Sequence, residues 1–502
     1  MTINTLSDDI FREIFREVFT SCLSEPFNCK LPTQRRCSYY PTLDAMEHAE
    51  AWQKLVHVCQ RWRNIIYGSP RHLNLHLFCS SDTPLRENAG WPEFPLILHY
   101  FIIPEDFDDL DVLRALEHPD RVHYIYIDIQ HLEMRPSDST AYAVLAEMEA
   151  PFPTLTHLDF TAPYPASGQP YWDLTDQFLG GSAPCLRHIH LDTVSFRALP
   201  ALLSSARGLV CLEFITPGDS DSYIPPEAMI GGLAGLTSLR TLCIDFLLSN
   251  DEPSDSDEDP EKEKIKLPAD PSIRAALPSL TGFDFTGKSE YLEALIAQID
   301  SPRVEVVTVD YLTPVVETRQ LSQFIGRTAS LESAWFRRAE VTFKAYLAEI
   351  KLDRAQGGCH QARLSLSVAK DHDENYHLPG LLGQLAPMLS NVNHLSIMEW
   401  SETGYTLENA ESFFHLFPAV ETMRVSGRLA VKFASMLEDI ASSKKRATDV
   451  LPALRLLHWS DSNEPVSTEQ FLALRRLSGH PVTVINTKDK LVERSEDEDD
   501  PW

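Results

Sequence analysis

Few residues of this 502-residue chain have the types and spacing that chemistry requires. Cys22, Cys29, Cys37 and His48 are ligand-type side chains, but they stand seven, eight and eleven residues apart, whereas zinc sites draw on pairs about two to four residues apart. Asp371-His372-Asp373-Glu374 and His377 gather donors in a short window that reads as a solvated loop. Gly231-Gly232-Leu233-Ala234-Gly235 lacks the Lys and Ser/Thr of a phosphate loop and reads as a connector. Neither a nucleophile elbow, a zinc-protease helix nor a dinucleotide fingerprint is found. The expectation is a protein without catalytic activity, metal or cofactor.

What remains is the chemistry of association. Ile10, Phe11, Ile14, Phe15, Val18, Phe19 and Cys22 recur at helical spacing with Arg12, Glu13, Arg16 and Glu17 between them, which predicts an amphipathic helix over 6–23. A second apolar segment runs from Trp52 to Ile66, with Leu55, Val58, Cys59, Trp62, Ile65 and Ile66 on one face, and Gly68 and Pro70 supply the stop. Short amphipathic helices bury such faces in their own core or in a partner's groove.

The elements beyond residue 120 change period. Short segments of the form φxxφxφ, with φ apolar, begin at Val122, Leu155, Leu186, Leu209, Leu239, Leu280, Val304, Leu331, Gln361, Val392, Val420 and Leu454. They recur about every 30 residues, in the range of the longer leucine-rich repeats. Several follow a proline, such as Pro153, Pro184 and Pro278, which ends a helix and starts an extended segment. Helical stretches such as Glu290–Ile299 lie between them, so one unit is a strand, a turn and a helix that cannot bury its apolar face alone. The fold class expected is α/β, with a small helical module ahead of a curved, irregular leucine-rich-repeat-like array. The rival reading is an irregular α/β domain with a partly parallel sheet. The expected organisation is a helical module over 1–80 with a loop inserted at about 24–50, a connecting and capping region over 81–121, and the array over 122–485.

Net charge is −29, from 44 Lys and Arg against 73 Asp and Glu, and argues against nucleic acid, whose phosphates need clustered basic residues. Much of the acidity sits in 251–264, DEPSDSDEDPEKEK, and in the tail 486–502, both expected to be disordered. The longest apolar run, Phe94–Ile103, is too short to span a membrane. The start has no signal-peptide pattern, and nine cysteines without repeated spacing fit a reducing compartment, the cytoplasm, the nucleus or both.

Residues 6–19 and 52–75 together resemble the F-box. The resemblance lies in Leu6-Ser7-Asp8-Asp9, in Ile10-Phe11-Arg12-Glu13-Ile14-Phe15, and in Val58-Cys59-Gln60-Arg61-Trp62-Arg63 with Pro70. It implies that Leu6, Ile10, Ile14, Phe15, Val58, Cys59 and Trp62 serve a Skp-type linker protein, which joins the chain to the cullin scaffold of a ubiquitin ligase. The array would then recruit a protein target, still unknown. A ligase-independent scaffold, whose N-terminal helices only cap the array, is the second reading.

In a φxxφxφ strand the fourth and sixth residues enter the core, and the third and fifth face outward. The outward row carries an acidic stretch, Asp159, Glu213 and Asp284, and a later zone with Trp335, Arg363 and Arg424. Trp and Arg combine large contact area with directed polar groups, so that later zone is the expected target-binding site.

Overall fold

The computed structural model describes residues 6–23, 52–70, 72–73, 75–80, 94–101, 110–129, 139–164, 171–217, 223–247, 274–312, 318–328, 331, 336–344, 347–353, 363–369, 382–399, 410–442, 449–460 and 468–487. The acidic segment 251–264, residues 488–502 of the tail, residues 371–377, Cys29, Cys37, His48 and Trp335 lie outside them, while Asn486 and Thr487, which the sequence pattern assigns to the disordered tail, instead end the last strand. The chain divides into two compact units, Met1–Asp284 with Gln298–Ser301, and Phe285–Ala297 with Pro302–Trp502.

The first unit opens with α1 (Asp8–Leu23), α2 (Gln53–Val56) and α3 (Gln60–Tyr67). Asp8 and Asp9 occupy the first turn of α1, where the helix dipole favours acids. Phe11, Phe15, Trp52, Val56, Ile65 and Ile66 form its core, together with Leu73, Leu75 and Phe94 from the chain that follows. Trp52 stacks on Phe94 at 4.8 Å between ring centroids, and its indole Nε1 donates to the His76 carbonyl at 3.0 Å. The helices are therefore packed onto the start of the sheet.

That sheet contains β1 (Leu77–Ser80), β2 (Leu96–Phe101), β3 (Val122–Asp128), β4 (His157–Thr161), β6 (His188–Asp192), β8 (Cys211–Pro217), β9 (Thr241–Leu247) and β11 (Gly282–Gly287), hydrogen-bonded in that order. Pairing from β1 to β9 is parallel throughout. Two short parallel ladders lie outside it: β5 (Trp172–Asp173) with β7 (Val194–Ser195), and β10 (Ala275–Ala276) with β12 (Ile299–Asp300). The crossovers carry α4 (Leu110–Leu116), α5 (Ser139–Glu147), α6 (Leu199–Ser205) and α7 (Pro226–Leu233), with α4 against α5 and α6 against α7. β1, β2 and α4 thus lie in or just before the stretch read as a connector. Gly231 and Gly232 lie inside α7 rather than in a connector. A Cβ at Gly232 would meet the Pro200 backbone at 2.8 Å, so its bare Cα lets the two helices approach.

The second unit holds α8 (Ser289–Ile296), β13 (Val306–Tyr311), α9 (Arg319–Arg327), β14 (Arg338–Phe343), β15 (Leu347–Asp353), β16 (Arg363–Ala369), α10 (Ala386–Leu389), β17 (His394–Glu399), α11 (Ala410–His415), β18 (Thr422–Ser426), α12 (Leu429–Ser442), β19 (Leu456–Ser460), α13 (Glu469–Leu477) and β20 (Thr483–Thr487). Here strand order departs from chain order, running β13-β16-β15-β14-β17-β18-β19-β20. β15 is antiparallel to both β14 and β16, while β13–β16 and β14–β17 are parallel.

The α/β class with mostly parallel strands is as expected, and eleven of the twelve repeat starts lead into a strand within two residues. The exception is Leu331: its strand begins at Arg338, where the apolar Ala339, Val341 and Phe343 recur at every second residue and are buried, with Thr342 buried between the last two, an apolar spacing LESAWF lacks. Among the described residues no helix is long and apolar enough to cross a membrane.

Candidate protein-interaction surfaces

At the N-terminus the implied linker-contact residues divide by burial. Phe15 is 3% exposed and packs edge-on against Trp62 at 5.1 Å, so both belong to the module's own core. Leu6 packs against the same cluster. Cys59 is the N-cap of α3, with Sγ accepting from the Trp62 backbone N–H at 3.5 Å. Ile10, Ile14 and Val58 stay 46%, 44% and 57% exposed. Ile10 and Ile14, four residues apart, share one stripe of α1. Arg61 fixes that helix by donating to Asp8 Oδ1 through Nε (2.9 Å) and Nη2 (2.7 Å) and lying over the Phe11 ring at 4.9 Å. The helix spacing was visible in the sequence; which half of the apolar set turns inward was decided by packing.

On the sheet of the first unit, alternation sends Leu158, Phe160, Ile189, Leu191, Leu212 and Phe214 into the core. The intervening residues line the other face in register. One row is Tyr124, His157, His188 and Cys211; the next is Tyr126, Asp159, His190, Glu213 and Cys243. In the first row the rings of Tyr124 and His157 stack at 4.4 Å, and those of His157 and His188 at 4.3 Å. His157 Nδ1 lies 2.9 Å from Thr156 Oγ1, whose single proton is given to the His123 carbonyl at 2.9 Å. Burial, then His188, His76, Arg187 and His123, hold the His157 pKa down at about 2, and burial with Arg187 holds His188 at about 4.

The second row is charged. His190 Nδ1 lies 3.0 Å from Glu213 Oε2. Burial disfavours the charged ring, but Asp159, Glu213 and Asp192 outweigh it and raise His190 to about 9. Burial raises Asp159 to about 6, with His190 pulling it down and Glu213, Asp128 and Asp192 pushing it up. Asp192 accepts from Thr193 Oγ1 at 2.9 Å. Thr193 sits at φ 61°, costly for a β-branched residue, between β6 and β7. Tyr126, His157, Asp159, His188, His190, Cys211 and Glu213 with Leu158 and Ile189 line a concavity of about 30 Å³.

In the second unit Arg363 opens β16, in register with Val306 and Asp353. Arg424 is exposed on β18, with Nε donating to Ser460 Oγ at 3.3 Å. The row through Arg424 runs Ser365, Lys351, Glu340, Ser396, Arg424 and His458, so Glu340 occupies the place expected for Trp335. Arg363 belongs to the neighbouring row, and β15, β14 and β17 separate its strand from that of Arg424, about 19 Å at ordinary strand spacing. Between them lies a cluster absent from the sequence reading. Glu349, 3% exposed, pairs with Lys351 (2.9 Å) and Lys344 (3.1 Å) and accepts from Ser365. The two lysines outweigh burial and hold the Glu349 pKa low.

No family model and no curated protein matches the chain. Among solved structures it is similar to the leucine-rich repeat-containing protein LegL7 from Legionella pneumophila, with 13% identity, a TM-score of 0.22, and coverage of 70% of this chain and 98% of that one.

Proposed function

We propose that this protein is a non-catalytic adaptor. It docks on a Skp-type linker of a cullin–RING ubiquitin ligase through α1 and the start of α3, and offers its sheet faces to a protein target. The observation that carries the reading is the apolar stripe of Ile10 and Ile14, left open on a helix whose Phe11 and Phe15 are buried. Exposed Val58 belongs to the Val-Cys-x-x-Trp-Arg motif that resembles the F-box. The test uses the full chain, because a fragment ending at residue 80 would lose Phe94 from the helical core. In a pull-down with purified linker and cullin, the parent is expected to bind. Ile10→Glu with Ile14→Glu should weaken that by at least about a hundredfold, since burying unpaired charge costs several kcal/mol. Both side chains are exposed, so the thermal transition should not move. Equal binding by the folded double variant removes the docking assignment.

A second reading, a scaffold independent of the ligase, is favoured by the packing of Trp52 on Phe94 and His76, which makes the helices a cap on the first strands. Failure of the parent chain to capture the linker selects it.

A further inference from the structure

We infer that the concavity between β3 and β8 is the target-reading site, and that it takes an arginine side chain from a basic segment of the partner. This rests on the adaptor reading only for the word target; the binding chemistry stands on the cavity.

Three features define the ligand. The first is charge. Asp128, Asp159, Asp192 and Glu213 act on or around this cavity, against the single cation His190 and the nearby Arg187. The excess is negative, so the missing partner charge is positive. The second is surface. The cavity's other walls include the rings of Tyr126, His157 and His188; His157 is sandwiched between Tyr124 and His188, and neither imidazole of that stacked pair carries charge at neutral pH. A planar guanidinium stacks on such rings and forks onto carboxylates, which a strongly hydrated ammonium does less well. The third is size. About 30 Å³ open to a water's centre holds roughly two or three waters, the bulk of one side-chain head rather than of a cofactor.

Glu213 and His190 are each 8% exposed, so the carboxylate is fixed before any ligand arrives. Among the described residues Asp159 accepts no hydrogen bond and is held only in the field of its neighbours. The guanidinium would meet Asp159 and Glu213 while its plane lies on the rings of His188 and Tyr126. The later zone of Arg363 and Arg424 offers no equivalent, because its two arginines sit on strands separated by three others.

The test titrates the full chain with fluorescein-labelled Gly-Ser-Arg-Gly-Ser-Arg-Gly-Ser-Arg, and with the same peptide carrying lysine or citrulline for arginine, at physiological ionic strength. The arginine peptide should bind, lysine should bind at least about fivefold more weakly, and neutral citrulline should not bind. Asp159→Asn with Glu213→Gln should weaken arginine binding at least about tenfold, while exposed Glu117→Gln with Glu227→Gln, the same change in net charge, should not. Should the double variant misfold, histidine ring-proton spectra of the parent give a second readout: the peptide should move the His188 and His190 signals. Equal loss in both double variants, equal binding of citrulline, or unmoved histidine signals overturns the proposal. Linker capture is measured in parallel; it should persist in Asp159→Asn with Glu213→Gln, and its absence in the parent would count against the adaptor reading alone.

Discussion

Four residues of one sheet face set how the first unit responds to pH. Unfolded, His157 and His188 take up a proton near 6.5 and Asp159 near 3.8; folded, the values are about 2, about 4 and about 6. Acidification from neutrality thus loads two protons onto the unfolded chain at the rings, against one that the folded chain gains at Asp159. The ring contribution is fully present above 6.5 and is lost as pH falls toward their folded values. That of His190, raised to about 9, is present below 6.5 and lost as pH rises through 9. Stability from this face is therefore greatest near neutrality. His157→Gln with His188→Gln leaves Asp159 as the acid-side group, so its stability relative to the parent should rise as pH falls from 7 to 5. Urea midpoints of both proteins at the two pH values check this; an unchanged difference would falsify it. Tyr126, Glu213, Asp128, Asp192 and Arg187 face the same groups and are present in both proteins.

At the scale of elements, buried polar side chains join pieces that the repeat pattern only places side by side. Glu293 on α8 is 4% exposed and accepts from the backbone N–H of Gln320 (2.6 Å) and Leu321 (2.9 Å), capping the first turn of α9 from another helix. Glu293→Ala should lower the stability of the second unit by about 1.5–3 kcal/mol, the range for hydrogen bonds to a charged group. Glu293→Gln should recover part of it. Denaturant unfolding measures both, and a loss under about 0.5 kcal/mol, the level of an ordinary surface change, would show that the cap is not structural. The β14–β15 hairpin is a similar case. Its strands read as apolar alternation, but nothing local says that β15 runs backwards between β14 and β16. The pairing of Glu349 with Lys344, Lys351 and Ser365 accompanies that reversal and has no counterpart in the repeat pattern.

Across the molecule, a sheet built by adding neighbours leaves its ends weakest. Within the second unit, β20 is paired on one side only, and Thr483, Ile485 and Asn486 are exposed, whereas Met423 and Val425 of β18 are fully buried. Amide exchange should therefore be fastest at β20 and slower by several orders of magnitude at β18; equal protection would mean that something covers the edge.

The sequence by itself determined the α/β class, most strand positions, and which residues of each strand share a face, because strand alternation and helical spacing are local and strictly periodic. Tyr126, Asp159, His190 and Glu213 were legible as one row for that reason. It also marked the apolar set of α1. Tertiary structure alone decided that Ile10 and Ile14 stay open while Phe15 and Trp62 turn inward, since that depends on what α3, Trp52 and Phe94 leave uncovered. It decided the strand order β13-β16-β15-β14-β17, because pairing between distant segments has no local signature. And it decided that two histidines are neutral while a third, one row away, is a cation, because burial and neighbouring charge are properties of packed neighbours rather than of spacing along the chain.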